Sequence, residues 1–371
     1  MPAERWDALL ERQASPTPFM RHAYLAALHE SGSAVAETGW TPRFVDMQRG
    51  GETVGACALY LKHHSYGEYV FDWAWADAYR RHGLAYYPKL LAAVPFTPVP
   101  GSRLLAADDA ARTALAHGLV QLAKESGVSS LHLLYPDEAD RAALAAAGWL
   151  MREGVQFHWM QDAADPAPDF DTLLARLQRE KRKKIQQERR RVAEADVVFE
   201  VHEGAAIDEA LWDFFHRCYA QTYAEHHSSP YLTRDFFARM AATMPQHWVM
   251  FVATREGRRI AASLVAVDSE RGGAWGRYWG ALEHVPCLHF EACYYQPLAW
   301  CLAHGYQRFE GGAQGEHKMA RGLMPVRTHS AHWLAHPRFA DAVADFLDQE
   351  RAGVADYVGE LQTRSPFKAG A

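Results

Sequence analysis

One order of elements runs twice along this chain, and no other feature narrows its fold so far. The first pass opens with a helix from about 17 to 30, whose apolar face includes Phe19, Tyr24, Leu25 and Leu28. A hairpin follows, RFVDMQ, turn RGGE, then TVGACALYLK. Next come an aromatic strand, EYVFDWAW, and a Pro/Gly-rich loop, VPFTPVPGSR. A helix over about 109–125, a strand SSLHLLY, a short helix over 138–147 and a last strand ending Phe157-His158-Trp159 complete it. The second pass has helices carrying Leu211, Phe214, Phe215 and then Phe236, Phe237, Met240. Its hairpin is WVMFVAT, REGR, IAASLVAV, and its aromatic strand AWGRYWG. A helix over 288–304, a strand YQRFE, the loop GGAQGEHKMARG and a strand ending Ala331-His332-Trp333 close it.

QDAADPAPDFD between the halves reads as a linker. It opens one long helix from 170 to about 194, with Asp171 as its cap. Leu174, Leu177, Ile185 and Val192 form a thin apolar seam on that helix, and KRKK and RRR cover its other faces. A final amphipathic helix after Pro337 turns Phe339, Val343, Phe346 and Leu347 inward. The expected organisation is an N-terminal domain over 1–163, a basic linker helix over 164–197 and a C-terminal domain over 198–371. At roughly 150 residues per domain, 371 residues suffice for two cores. With 49% hydrophobic and 23% charged residues, wholesale disorder is excluded. No apolar run approaches the ~20 residues of a membrane span. The amino terminus, MPAERWDALLERQ, lacks the apolar core of a signal peptide. Five cysteines without CxxC spacing fit reduced thiols, and a cytoplasmic location is expected.

The segments YLKHHSYGEYVFDWAWADAYRRHGLAYYPKLLAAVPFTPVPGSRLL, GRYWGALEHVPCLHFEACYYQ and FEGGAQGEHKMARGLMPVRTHSAHW resemble the FemAB-like N-acyltransferases. The stretch LQREKRKKIQQERRRV is similar to the basic helix of the wider Fem group. The resemblance covers nearly the whole chain. It implies an α+β fold of tandem GNAT-like acyltransferase domains, pseudo-duplicated and joined by the basic helix. It also implies transfer of an acyl or aminoacyl group to an amine acceptor, a small molecule or a peptide. Fem enzymes draw on aminoacyl-tRNA and GNAT enzymes on acyl-CoA; either would be a co-substrate, with no tightly bound cofactor. The usual GNAT pyrophosphate loop is a glycine run opening the central helix. Here PVPGSRLLAADD and WGALEHVPC each hold a single glycine.

Amide formation needs a base for the amine and a donor or cation for the oxyanion. Gly312–Gly322 supplies such groups among three glycines. His317 or Glu316 would serve as base, Lys318 or Arg321 would hold the oxyanion or donor, and Gln314 would bind substrate. As a plain surface turn, the same charges would merely be solvated. On one face of the preceding helix, over 288–304, Glu291, Tyr294 and Tyr295 stand at i, i+3 and i+4, and a partly buried Glu291 is a third candidate base. Tyr278 and Trp279 on the second aromatic strand would line the substrate groove between the halves. In the first half, Asp72 and Trp73, with Tyr87 and Lys89 beyond, suggest a pocket reading an amine. Asp72 as a core carboxylate meeting a tyrosine is an equal reading. Nine basic residues stand between Arg176 and Arg191 against two acidic ones. This local +7 on a chain of net charge −6 would contact tRNA or an anionic lipid, or remain a solvated face. No histidine spacing matches a metal site, so none is expected. A non-catalytic binding module for a peptide or amine metabolite is the alternative to an enzyme.

Overall fold

The computed structural model describes residues 1–313 and 315–368, so Gln314 lies outside the described residues. The chain divides into two units. The first comprises residues 1–155 and 327–357, the second 156–326 and 358–371. These boundaries differ from a cut at 163. The strand Met324–Leu334 pairs with Ser130–Leu134, which carries the chain after 326 into the first unit.

In the first unit a mixed sheet runs Trp40–Pro42, Leu59–Lys62, Lys89–Ala92, Ser130–Leu134, then Met324–Leu334. Lys89–Ala92 and Ser130–Leu134 are parallel, joined through the helix Asp109–Glu125. Asp108 caps that helix by accepting from the Ala111 amide at 2.6 Å. Its buried face, Leu115 and Leu119 among it, packs on Leu131, Leu133 and Ala331. The hairpin over 45–57 adds the strand Leu104–Ala106 in a separate three-stranded sheet.

EYVFDWAW is not a strand. The helix Trp73–Arg81 begins inside it. Buried positions 68, 72, 75 and 79 follow a spacing of three to four, and the helical period overrides the alternation of aromatics. Glu68 and Asp72 both turn inward to Lys89. The expected long linker helix is two helices, Phe170–Arg176 and Arg179–Glu194. Leu177 and Gln178 between them are extended, and the chain near its end bonds there: the Gln178 amide donates to Pro366 O at 2.8 Å. The cap of the first is Asp169, which accepts from the Thr172 amide, in place of Asp171.

The second unit's sheet runs from residues 156–160 through Arg308–Glu310, Gly273–Ala281, Arg258–Asp268 and Trp248–Arg255 to Val197–Glu203. Neighbours are antiparallel except Gly273–Ala281 beside Arg308–Glu310, which are parallel. The helix Glu209–Glu225 lies against this sheet so closely that Gly280 admits no side chain. A Cβ there would stand 1.9 Å from Cys218 O. Among the described residues no helix is long and apolar enough to cross a membrane.

Candidate active site

The two parallel strands of the second unit stay paired for only three residue pairs, Gly273–Arg308 to Trp275–Glu310. Beyond these they part, and a cavity of about 140 Å³ opens. Gly276, Arg277, Tyr278 and Trp279 line it from one strand, Gly311 from the end of the other, and His289, Cys293 and Tyr294 from the connecting helix. The opening depends on glycine, since a Cβ on Gly276 would press 3.2 Å from the Phe309 ring. Opposite Leu264 and Val265 the register shifts by one residue, making Arg277 the extra one. A bulge of this kind re-aims a side chain, and Arg277 lines the cavity.

The connecting helix is itself irregular. Leu288–Phe290 is α-helical, Glu291–Tyr295 is a π-turn, and Gln296–Ala303 is α-helical again. Ser263 Oγ donates to Ala292 O within that turn at 2.6 Å. Such π-turns recur where a helix must present side chains to a site. Ser263, Arg277 and Cys293 are cavity residues that sequence reasoning passed over. The bulge comes from pairing with the neighbouring strand at Leu264 and Val265, and the π-turn is bonded by Ser263, 29 residues before Ala292.

Of the residues selected from the sequence, Tyr278, Trp279 and Tyr294 line the cavity. Tyr295 does not; its hydroxyl donates to the carboxylate of Glu188 on the basic helix. Glu291 faces another cleft, about 520 Å³, together with Arg189, Arg190 and Gln296. Arg189 Nε stands 3.1 Å and Gln296 Nε2 2.7 Å from Glu291 Oε1. Arg321 is buried in an ion pair with Glu188 at 3.0 Å, lies 3.6 Å over the Phe290 ring and donates to His317 O. Glu316 is exposed and paired with Arg364 at 2.6 Å.

Lys318 occupies a different environment. It is 4% exposed, and Nζ donates to Gly312 O and Ala313 O, each at 3.1 Å. Its stem passes under Gly311 on the cavity wall: a Cβ on Gly311 would meet Lys318 Cδ at 3.1 Å. Burial lowers its pKa to about 8, with the Cys293 thiol opposing. His317 Nε2 lies 3.3 Å from Tyr294 Oη. Desolvation, with help from Arg321 and Lys318, lowers the His317 pKa. Desolvation, His317 and the same two cations lower His289 to about 4. Both rings are therefore neutral near pH 7. Among the described residues, the cavity lining contains no carboxylate.

The first-half candidates form a separate cluster in the first unit. Lys89 is wholly buried, donating to Ser65 Oγ and Glu68 Oε2, both at 2.8 Å, and to Asp72. Tyr86 donates to Asp72 at 2.6 Å and lies 3.1 Å from His132, whose Nδ1 is 2.8 Å from that of His332. Tyr87 Oη meets Ser65 at 2.8 Å. The amine that Asp72 reads is thus Lys89 of the same chain. Burial would raise the Asp72 pKa, and Lys89 and His132 outweigh it, holding the carboxyl well below the usual range. Trp73 stands outside this cluster, exposed at the helix start.

Known proteins bear on this geometry. The model of the FemAB-like family, described as peptidoglycan biosynthesis/recognition, matches residues 1–369. The fold is similar to that of FemX, with a TM-score of 0.56, 12% identity, and 93% of this chain and 98% of that one covered. It is similar to L-PGS from Bacillus licheniformis, with TM-score 0.56, 11% identity, and 93% and 97% covered. The C-terminal domain of a putative lysylphosphatidylglycerol synthetase from Agrobacterium fabrum matches with TM-score 0.54, 13% identity, and 92% and 95% covered. No curated protein sequence matches the chain. The parted parallel strands, the helix joining them and a family model spanning nearly every residue lead to one conclusion: this chain belongs to the FemAB-like family and is a transferase of GNAT-like α+β fold.

Proposed function

We propose that the chain is an N-acyltransferase that moves an aminoacyl group from a charged tRNA to an amine acceptor bound in the cavity at Gly276–Trp279. The amine nitrogen attacks the ester carbonyl, a C–N bond forms, and collapse of the tetrahedral intermediate breaks the ester C–O bond. The amine loses one proton and the leaving ribose hydroxyl takes one. Lys318 is the group fitted to manage those protons. It lies beside the cavity, holds a proton near neutrality with a pKa of about 8, and is positioned by two carbonyls. That buried, pKa-lowered lysine under Gly311 is the observation carrying the reading.

Two features favour tRNA over acyl-CoA as donor. The amides of Leu288, Phe290 and Glu291, where a GNAT helix would receive a pyrophosphate, donate to Val285 O, Cys287 O and Cys287 O respectively. The basic helix presents Lys183, Lys184, Gln187 and Arg190 outward, a surface suited to phosphates. Its inner side carries Glu188 and Arg189, which hold Arg321 and Glu291.

The test pairs calorimetric titration with a transfer assay. Coenzyme A at millimolar concentration should give no heat, and a pool of charged tRNA with an amine panel should give amide product. Lys318→Met should lower kcat by about 10²–10⁴-fold. Micromolar coenzyme A binding would overturn the tRNA donor, and undiminished turnover in Lys318→Met would overturn the role of the lysine.

A further inference from the structure

In the first unit, the segment over 65–73 has its polarity inverted. Its polar side chains, Ser65, Glu68 and Asp72, are buried on Lys89, whereas Tyr66, Phe71 and Trp73 stand 58%, 52% and 42% exposed. A surface loop without constraint would do the opposite. This loop is held in its inverted state from several directions. Tyr135 Oη donates to Tyr69 O at 2.9 Å, and Arg152 Nη1 donates to Phe71 O at 2.7 Å. Tyr69 itself sits at φ 60°, a conformation that a non-glycine residue keeps only when its surroundings impose it. Tyr66 and Trp73 pack edge to face, with ring centroids 5.3 Å apart, so the tip presents its aromatics as one rigid group.

We infer that this tip docks on a lipid–water interface. The residue types decide the occupant. Tryptophan and tyrosine, with an apolar body and a polar edge, concentrate at headgroup depth, and phenylalanine beside them reaches the acyl boundary. The charge agrees with an anionic leaflet. Withdrawing Glu68 and Asp72 to Lys89 removes two carboxylates from the outer surface, while Arg80 and Arg81, at the end of the helix that Trp73 begins, project with side chains 81% and 76% exposed. Asp77, which both arginines contact, is the acidic residue of that helix. The tip is separate from the cavity of the second unit, and its docking stands independently of the transfer chemistry.

Flotation of the intact protein with vesicles of equal parts phosphatidylglycerol and phosphatidylcholine tests this. The wild type should float, with a blue shift in tryptophan fluorescence that is absent in Trp73→Phe. Phe71→Ser with Trp73→Ser should weaken partitioning by about tenfold or more, given the apolar area removed. Both positions are exposed, so an unchanged melting temperature is expected to accompany the loss. Equal flotation of the double variant would overturn the inference, placing any lipid contact on the basic helix. So would failure of the wild type to float. Concentration-dependent dimerisation in sedimentation that the double variant abolishes, without vesicle binding, would assign the tip to a second copy and overturn it too.

Discussion

Lys318 is the residue at which stability and chemistry pull apart. Its amine is desolvated, and its pKa in the folded chain, about 8, lies below the ordinary lysine value of 10.5. Between those values the unfolded chain binds more protons than the folded one, so unfolding becomes harder as pH rises. The stability of the wild type relative to Lys318→Met should therefore climb by about 3 kcal/mol from pH 7.5 to 10.5. Urea unfolding of both proteins across that range measures it, and a gap independent of pH would mean the amine is not desolvated. Lys318 and its glycine surroundings were legible from sequence as polar chemistry in a glycine-rich loop. Glu291 was equally legible as a helical carboxylate facing Tyr294 and Tyr295. Its turn toward Arg189 and Gln296, away from the cavity, follows from the basic helix packing alongside. No spacing within residues 288–304 encodes that neighbour.

The strand Gly273–Ala281 does two jobs at the scale of elements: one end parts from its parallel neighbour to open the cavity, and the other supports a helix. Gly280 permits the second. Gly280→Ala would drive a methyl group into the backbone at Cys218, where no flexible side chain can yield. A loss of about 3 kcal/mol is expected, from the cost of overpacking, and a lowered urea midpoint with an unchanged slope would register it. A variant with wild-type stability would mean that helix and strand can separate. Hairpins and amphipathic helices were readable at this scale, because their signals are local: the helix over 109–125 is one. The π-turn at Glu291–Tyr295 and the break at Leu177–Gln178 were not, since each is imposed by a partner distant in sequence.

Across the whole molecule the chain does not finish one unit before beginning the next. Residues 327–357 return to the first unit. There Ala331 joins its core, and Leu334, Val343 and Leu347 pack with Trp75, Tyr79 and Tyr86. A fragment of residues 1–155 would expose these aromatics and leave Ser130–Leu134 with an open edge. It is expected to bind the dye ANS and to lack a cooperative melt, whereas the full chain should melt cooperatively without binding dye. A fragment that folds cooperatively would show that the returning segment is dispensable.

Periodicity and turns along the sequence determined most elements and their order, because those are decided within about a dozen residues. The doubled order and the quoted segments also led to the α+β fold class and the family. Only tertiary structure decided three things. Glu68 and Asp72 reach inward for Lys89 and turn an apparent strand into the start of a helix. The chain exchanges a strand and a helix between units. Arg277 and Cys293 line one cavity, with the Lys318 stem beneath its Gly311 wall, while Glu291 and Arg321 are drawn to the basic helix. Each outcome depends on which charged group finds a buried partner, and such partners are chosen across the fold, where desolvation makes an unpaired charge costly.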